Sequence, residues 1–256
     1  MTAASRLPIS VCLISGAEAP RIRRALDSVS GWAGEIIVVL NAEVDDGTDK
    51  IAEACGAKVF REPWKGFIAQ KNSAAEKCSQ PWLLNLDADE EVTPELRAEI
   101  QRAVTSPGEH AAFSFPRCTN YFGRWIRHGD WYPDRVTRLW KRGAARWAGE
   151  DPHARLEVNG STGKISGDLL HHMTENHDQQ VQKMMRYVDV FVRECAASGK
   201  KISVWEVALR PVWRFLRCYF FRLGFLDGRQ GLTIAWLGTF YTFLRYSKAL
   251  EQQRQK

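Results

Sequence analysis

The sequence has no Cys-x-x-Cys pair, no Gly-x-Gly-x-x-Gly after its first apolar run, no P-loop and no long apolar stretch. Each absence removes a class of protein. The six cysteines (Cys12, Cys55, Cys78, Cys118, Cys195, Cys218) are scattered and several lie inside apolar runs. They read as reduced core residues of a cytosolic protein rather than a disulfide framework. Without glycine fingerprints, dinucleotide and P-loop sites lose their main support. A spanning helix needs about 18 or more apolar residues. The longest candidate, Leu232 to Leu244, is too short and contains Thr and Gly. Met1 to Pro8 lacks the apolar core of a signal peptide, so none is expected. Zinc, helix-turn-helix and RNA-binding signatures are missing, which argues against nucleic acid as a partner. Internal repeats and low-complexity tracts are missing too.

What remains is an ordinary globular composition. At 256 residues, 45% hydrophobic and 26% charged, the chain is long enough for one large α/β domain with an appendage. The net charge of +6 is unevenly spread. Acidic residues concentrate in the first part, whereas basic residues are frequent from Arg117 onward and interleave with aromatics between Arg210 and Tyr246. A basic, aromatic tail suggests an anionic partner.

The first hundred residues alternate strand and helix. Ile9 to Ile14 reads as a strand, and Pro20 to Val29 as a helix with Ile22, Ala25, Leu26 and Val29 on one face. Ile36 to Leu40 is a continuous apolar strand, as a parallel sheet covered on both faces requires. A helix from Asp46 to Cys55, a strand Lys58 to Phe60, a helix Gly66 to Cys78 and a strand Trp82 to Leu86 follow. This order implies a doubly wound, mainly parallel sheet with right-handed crossovers. Between about 110 and 170 the pattern changes to short strands, Ala111 to Pro116, Arg135 to Lys141, Ala145 to Ala148 and Lys164 to Ser166, a small antiparallel portion. Helices resume at Asn176, where Val181, Met184, Met185, Val188, Phe191, Val192 and Cys195 form a core-type stripe. The expected organisation is a catalytic domain over residues 1–175 and a helical C-terminal extension over 176–256. The first divides into a nucleotide-binding half, about 1–105, and an acceptor half, about 106–175.

The most informative stretch is Trp82-Leu83-Leu84-Asn85-Leu86-Asp87-Ala88-Asp89-Glu90-Glu91, a buried strand that breaks into acid. Open α/β sheets bind ligands at the carboxyl ends of their strands, where Asp87 and Asp89 lie. Residues at i and i+2 of an extended segment point to one side. Two such carboxylates can share a hard divalent cation with a substrate phosphate completing the shell. The alternative is a solvated acidic turn ahead of the helix start Thr93-Pro94-Glu95.

Further landmarks fall in a fixed order: Phe60-Arg61-Glu62-Pro63-Trp64-Lys65-Gly66-Phe67, Gln70-Lys71-Asn72-Ser73-Ala74, the Asp87 segment, Trp131-Tyr132-Pro133-Asp134-Arg135-Val136-Thr137-Arg138-Leu139 and Leu169-Leu170-His171. In these the chain resembles the family 2 glycosyltransferases, in particular the bacterial subgroup related to lipopolysaccharide core glucosyl- and heptosyltransferases. The resemblance implies a GT-A fold and inverting transfer from a nucleotide-sugar donor, helped by Mg²⁺ or Mn²⁺. It implies metal ligation by Asp87, Asp89 and His171, and donor contacts from Glu18, Asn41, Asp46, Lys71, Asn72 and Asp87. Relatives carry Asn-Glu-Glu after the first strand and a strand-ending Asp after the second. Here those positions read Ala17-Glu18-Ala19 and Leu40-Asn41, so base preference is open. Relatives also place an acid after a His before the final strand. This chain has Ala154 there, in Glu150-Asp151-Pro152-His153-Ala154-Arg155-Leu156, leaving Asp151, Glu150 and Asp134 as candidate general bases.

The tail alternates Arg210, Arg214 and Arg217 with Trp213, Leu216 and Phe220 at helical spacing, as a helix lying in an anionic membrane interface would. The alternative is a helix in which Trp205, Trp213 and Trp236 pack as core. With the resemblance, the expectation is a peripheral enzyme at the inner face of the cell membrane acting on a lipid-linked saccharide. Two competing readings are a polyprenyl-phosphate glycosyltransferase, with Arg135 and Arg138 holding the lipid phosphate, and a catalytically lapsed sugar-nucleotide-binding or scaffold protein.

Overall fold

The computed structural model describes residues 6–151, 153–173 and 176–254, and of His153 the backbone only. The chain divides into two compact units, Met1–Arg117 with Arg135–His172, and Cys118–Asp134 with Met173–Lys256. The second unit therefore takes in Cys118–Asp134 as well as the C-terminal helices.

In the first unit, β1 (Leu7–Ser15), β2 (Ala33–Asn41), β3 (Lys58–Glu62) and β4 (Trp82–Asn85) form a parallel set. They are linked by α1 (Ile22–Ser30), α2 (Thr48–Ala54) and α3 (Phe67–Glu76). The sheet continues through β5 (Glu90–Val92), β6 (His110–Tyr121), β8 (Asp134–Lys141) and β12 (Leu169–His172), in the order β3-β2-β1-β4-β8-β6-β12-β5. A short β11 (Ser161–Lys164) runs parallel to the start of β6, and β9 (Ala145–Glu150) with β10 (His153–Val158) forms a separate antiparallel hairpin. Alternating strand residues serve two cores. Ile9, Val11, Leu13, Ile36 and Val38 pack with α1 and α4 (Pro94–Thr105), while Cys12, Ile37, Val39 and Leu83 pack with α3 and the hairpin. The start of α4 is as its sequence suggests: Thr93 caps it, accepting from the Leu96 N–H at 3.1 Å, with Pro94 in the first turn.

The second unit holds β7 (Arg124–Trp125), paired with the end of β6, and three helices, α5 (His177–Ser198), α6 (Val204–Leu216) and α7 (Gly228–Arg254). Capping boxes open α5 at Asn176 with Gln179, and α6 at Ser203 with Glu206. The stripe expected along α5 is core only in its second half: Val188, Val192 and Cys195 are buried with Tyr246 and Ala249, whereas Val181 and Met185 are exposed. Among the described residues, no helix is long and apolar enough to cross a membrane.

Candidate active site

The fully buried strand Trp82–Asn85 delivers the acidic segment to the carboxyl edge of the sheet. There the backbone does not stay extended. The Glu90 N–H donates to the Asp87 carbonyl at 3.0 Å, closing a turn that sends the chain into β5. β5 pairs antiparallel with β12, so that His171 lies opposite Glu90. The turn replaces the side-by-side carboxylates expected of an extended segment, and the two aspartates face different partners.

Asp87 faces cations. It accepts from Lys71 Nζ at 2.9 Å and from the Arg138 guanidinium, while its own N–H donates to Glu90 at 3.0 Å. Glu90 also takes Arg138 Nη2 at 3.0 Å and Arg117 Nη1 at 3.5 Å. Asn85 accepts from Arg138 Nη1 at 2.5 Å and Lys71 Nζ at 3.4 Å. Burial acts to push the Asp87 carboxyl up, but Arg138 and then Lys71 outweigh it and hold it well below the usual carboxylate range. Burial also pulls the Lys71 ammonium down, against the attraction of Asp87. Both cations lie over the Trp147 ring, at 4.6 Å for Lys71 and 5.8 Å for Arg138.

Asp89 faces His171, whose Nε2 lies 3.3 Å from its Oδ2. Burial raises this carboxyl, yet the hydrogen bond and charge of His171 more than offset it, leaving a net lowering. Glu18, in the loop after β1, moves the other way: burial raises it, Arg21 lowers it, and the nearby charges of Asp89 and Asp46 raise it further. Carboxylates that repel one another at a strand edge form a surface suited to a cation. Asp46 ties the loops after β1 and β2 together, accepting from Thr48 N–H at 3.0 Å and Ala19 N–H at 3.1 Å. Asn41 stands at the end of β2, accepting from Glu43 N–H at 3.3 Å.

The remaining sequence-expected residues are differently engaged. Asn72 exchanges two hydrogen bonds of 2.9 Å with the backbone of Trp147, fastening β9 to α3. The Asp151 carboxylate accepts from Ile68 N–H at 3.0 Å and so serves the N-terminus of α3 from a distant turn. Glu150 is exposed at the end of β9. Asp134 belongs to the second unit. Pro152 and the His153 side chain lie outside the described residues. Glu90, Asn85, Arg117 and Trp147 join the site without a sign in the sequence, and Arg138, by sequence a candidate for a lipid phosphate, joins it as a buried ion-pair partner. A glutamate among other acids, and an arginine among other basic residues, carries no local sign of burial.

Among the described residues, no three His, Cys, Asp or Glu side chains converge as a preformed metal cage. Asp89 and His171 nonetheless offer a carboxylate oxygen and an imidazole nitrogen side by side. A cation held largely by a substrate's phosphates needs only one or two protein ligands, so this pair fits such a group.

The chain matches the family described as Glycosyl transferase family 2 over residues 10–158. An uncharacterized glycosyltransferase of Rickettsia prowazekii is 33% identical over 257 residues, covering 94% of this chain and 86% of its own. The lipopolysaccharide core biosynthesis glycosyltransferase LpsC of Rhizobium meliloti is 27% identical, covering 98% and 95%. Among solved structures, Staphylococcus aureus TarS residues 1–349 with UDP-GlcNAc superposes with a TM-score of 0.53 at 12% identity, over 97% of this chain and 92% of that one. The Pyrobaculum calidifontis mannosyltransferase PcManGT with GDP-Man and Mn²⁺ gives 0.53 at 12% identity, over 99% and 76%. At such identities the likeness concerns the fold, which is the mixed α/β GT-A type expected from the sequence.

Proposed function

The chain belongs to glycosyl transferase family 2, and from that premise we propose that it moves a sugar, with inversion, from a nucleotide-sugar donor to a lipid-linked saccharide such as lipopolysaccharide core. The observation that carries this reading is the Asp87-Ala88-Asp89 turn, where one carboxylate is fixed by Lys71 and Arg138 and the other faces His171 and Glu18. The relationship to LpsC supports the acceptor class.

In this reading Asp89 and His171 hold Mg²⁺ or Mn²⁺, which when bound neutralises charge developing on the leaving diphosphate. Asp87 does not need to reach the cation; it keeps Lys71 and Arg138 charged and aimed at the donor phosphates. Glu18, Asn41 and Asp46 line the edge above β1 and β2 where the nucleoside lies, Asn41 offering both donor and acceptor to a base. The test is calorimetry with a panel of nucleotide diphosphates and nucleotide-sugars, with and without Mn²⁺. At least one nucleotide should bind more tightly with the cation; binding indifferent to Mn²⁺ across the panel would sink the metal assignment.

For the acceptor proton we propose Asp151 or Glu150, with Asp134 third. Asp151→Asn keeps an oxygen for the Ile68 N–H, so it removes a base while sparing the α3 terminus. Whichever residue is the base should lose about 10²-fold in turnover when made the amide, the low end of the general-base range because Asp151 and Glu150 are exposed. Donor affinity should be unchanged. Retention of full turnover by Asp151→Asn and Glu150→Gln together would move the role to Asp134.

We also propose that the second unit attaches the enzyme to the cytoplasmic face of the membrane. Trp205, Trp213 and Trp236, which would be buried if the tail were core, are 73%, 56% and 58% exposed. Leu209, Leu216, Phe220, Phe221 and Phe240, on and just beyond α6 and on α7, are exposed as well. The arginines are less available than the sequence suggests. Arg214, Arg217 and Arg222 converge on Asp130 at 2.6, 2.9 and 3.2 Å, and Arg210 pairs with Glu206 at 2.8 Å. Attachment therefore rests mainly on aromatic insertion. Changing Trp205 and Trp213 together to Ser should weaken sedimentation with anionic vesicles at least about tenfold, since full burial of one large apolar side chain contributes about 1.5–3 kcal/mol. Raising the salt should matter less than this double change. Equal binding by variant and parent would refute the aromatic face.

A further inference from the structure

A cavity of about 410 Å³ opens in the first unit beside the Asp87 network. It is large enough for a sugar residue bearing a charged substituent. Among the described residues its walls carry five cationic side chains, Lys71, Arg117, Arg135, Arg138 and Arg155, and no carboxylate. Lys71 and Arg138, aimed at the donor phosphates in the reading above, also bond Asp87 and form the end of the cavity at that turn, leaving Arg117, Arg135 and Arg155 on the rest of its wall.

The cations are not equally compensated. Lys71, Arg138 and Arg117 reach back to the two carboxylates of Asp87 and Glu90, and Arg155 pairs on the surface with Glu157 at 2.8 Å. Arg135 is different. Its Nη1 and Nη2 both donate to the Ile165 carbonyl at 3.1 Å, a neutral acceptor that fixes the guanidinium without cancelling its charge. Ala154, beside Arg155 on β10, brings no carboxylate to that part of the wall. Arg135 thus adds positive charge to a concave surface, where the field is focused. A neutral sugar would gain nothing from this, whereas an oxyanion would.

We propose that this cavity binds an oxyanion carried by the acceptor saccharide, a phosphate monoester or a sugar carboxylate, so that the enzyme selects a negatively charged acceptor. The inference rests on the transferase reading above and specifies its substrate. Arg135 is a specificity-determining residue in it, held by Ile165 to meet the anion.

The test is calorimetry on the full chain with glucose 6-phosphate, glucuronate and methyl glucoside as probes. Each is titrated in Mn²⁺ with a nucleotide diphosphate present, so that the donor-phosphate site is taken. Glucose 6-phosphate or glucuronate should bind at least tenfold more tightly than methyl glucoside, and the tighter of the two identifies the anion as phosphate or carboxylate. Arg135→Gln should weaken that binding about tenfold, and Ala154→Asp should abolish it by placing a like charge on the wall. Both variants should bind the nucleotide diphosphate as the parent does. If the charged sugars bind no better than methyl glucoside, or both variants keep the parental affinity, the proposal falls while the transferase reading stands. If no nucleotide binds in Mn²⁺, the transferase reading fails on its own, and the charged-sugar titrations still decide whether the cavity takes an anion.

Discussion

Asp89→Ala is expected to lower turnover by about 10³-fold and to abolish the effect of Mn²⁺ on nucleotide binding, while the melting temperature stays close to that of the parent. The magnitude follows from the cost of removing one preorganised group that stabilises charge developing in the transition state, roughly 10²–10³-fold for a single hydrogen-bond donor. A ligand to a divalent cation belongs at the upper end of that range. The stability side follows from its surroundings. Asp89 is held below its usual titration range by one imidazole, His171, and it raises the neighbouring Glu18. Removing it deletes the favourable His171 contact and the repulsions with Glu18 and Asp87. Asp87→Ala should behave differently despite lying two residues away. It strips Lys71 and Arg138 of their shared carboxylate inside a buried network, so it should lose stability as well as activity. Kinetics, calorimetry and thermal melting on the two variants check the contrast. An Asp89→Ala protein that keeps Mn²⁺-dependent nucleotide binding would end the assignment.

The contrast between the two aspartates also marks where sequence reading runs out. The strands β1, β2 and β4 are legible because a strand buried on both faces must be continuously apolar, as Ile36 to Leu40 is. The three-residue β5 has no such signature: its Glu90 is buried and it is a strand only because β12, far along the chain, pairs with it. Yet that pairing closes the turn at Asp87 and brings His171 to Asp89. The sequence pattern ends the sixth strand at Pro116, but β6 runs through it to Tyr121. The residue types of the site were thus readable, whereas their division into a cation-facing and an arginine-facing carboxylate depends on long-range pairing.

The arginine-facing half yields the largest effect expected on stability. Arg138→Met should destabilise the first unit by about 3–5 kcal/mol, the usual cost of breaking a buried pair by removing one partner. At about 2–4 °C per kcal/mol for a chain of this size, the melting temperature should fall by about 6–20 °C. Arg138 is buried, and its guanidinium joins Asn85, Asp87 and Glu90. Without it, Asp87 keeps Lys71 and Glu90 keeps the more distant Arg117. The pH dependence gives a second readout. In the parent the Asp87 carboxyl is depressed, so its contribution is fully present above the unfolded value of about 3.9 and is lost as the pH falls through the lower folded value. In the variant, burial is opposed by Lys71 alone and the carboxyl rises. Its penalty is then largest near neutral pH and is relieved by protonation. The stability gap between parent and variant should therefore narrow on acidification. Arg138→Lys should recover part of it, since an ammonium restores the charge but lacks the planar fork with which the guanidinium meets Asn85, Asp87 and Glu90. A gap that stayed constant from neutral to acid pH would mean that Arg138 stabilises by packing rather than by charge.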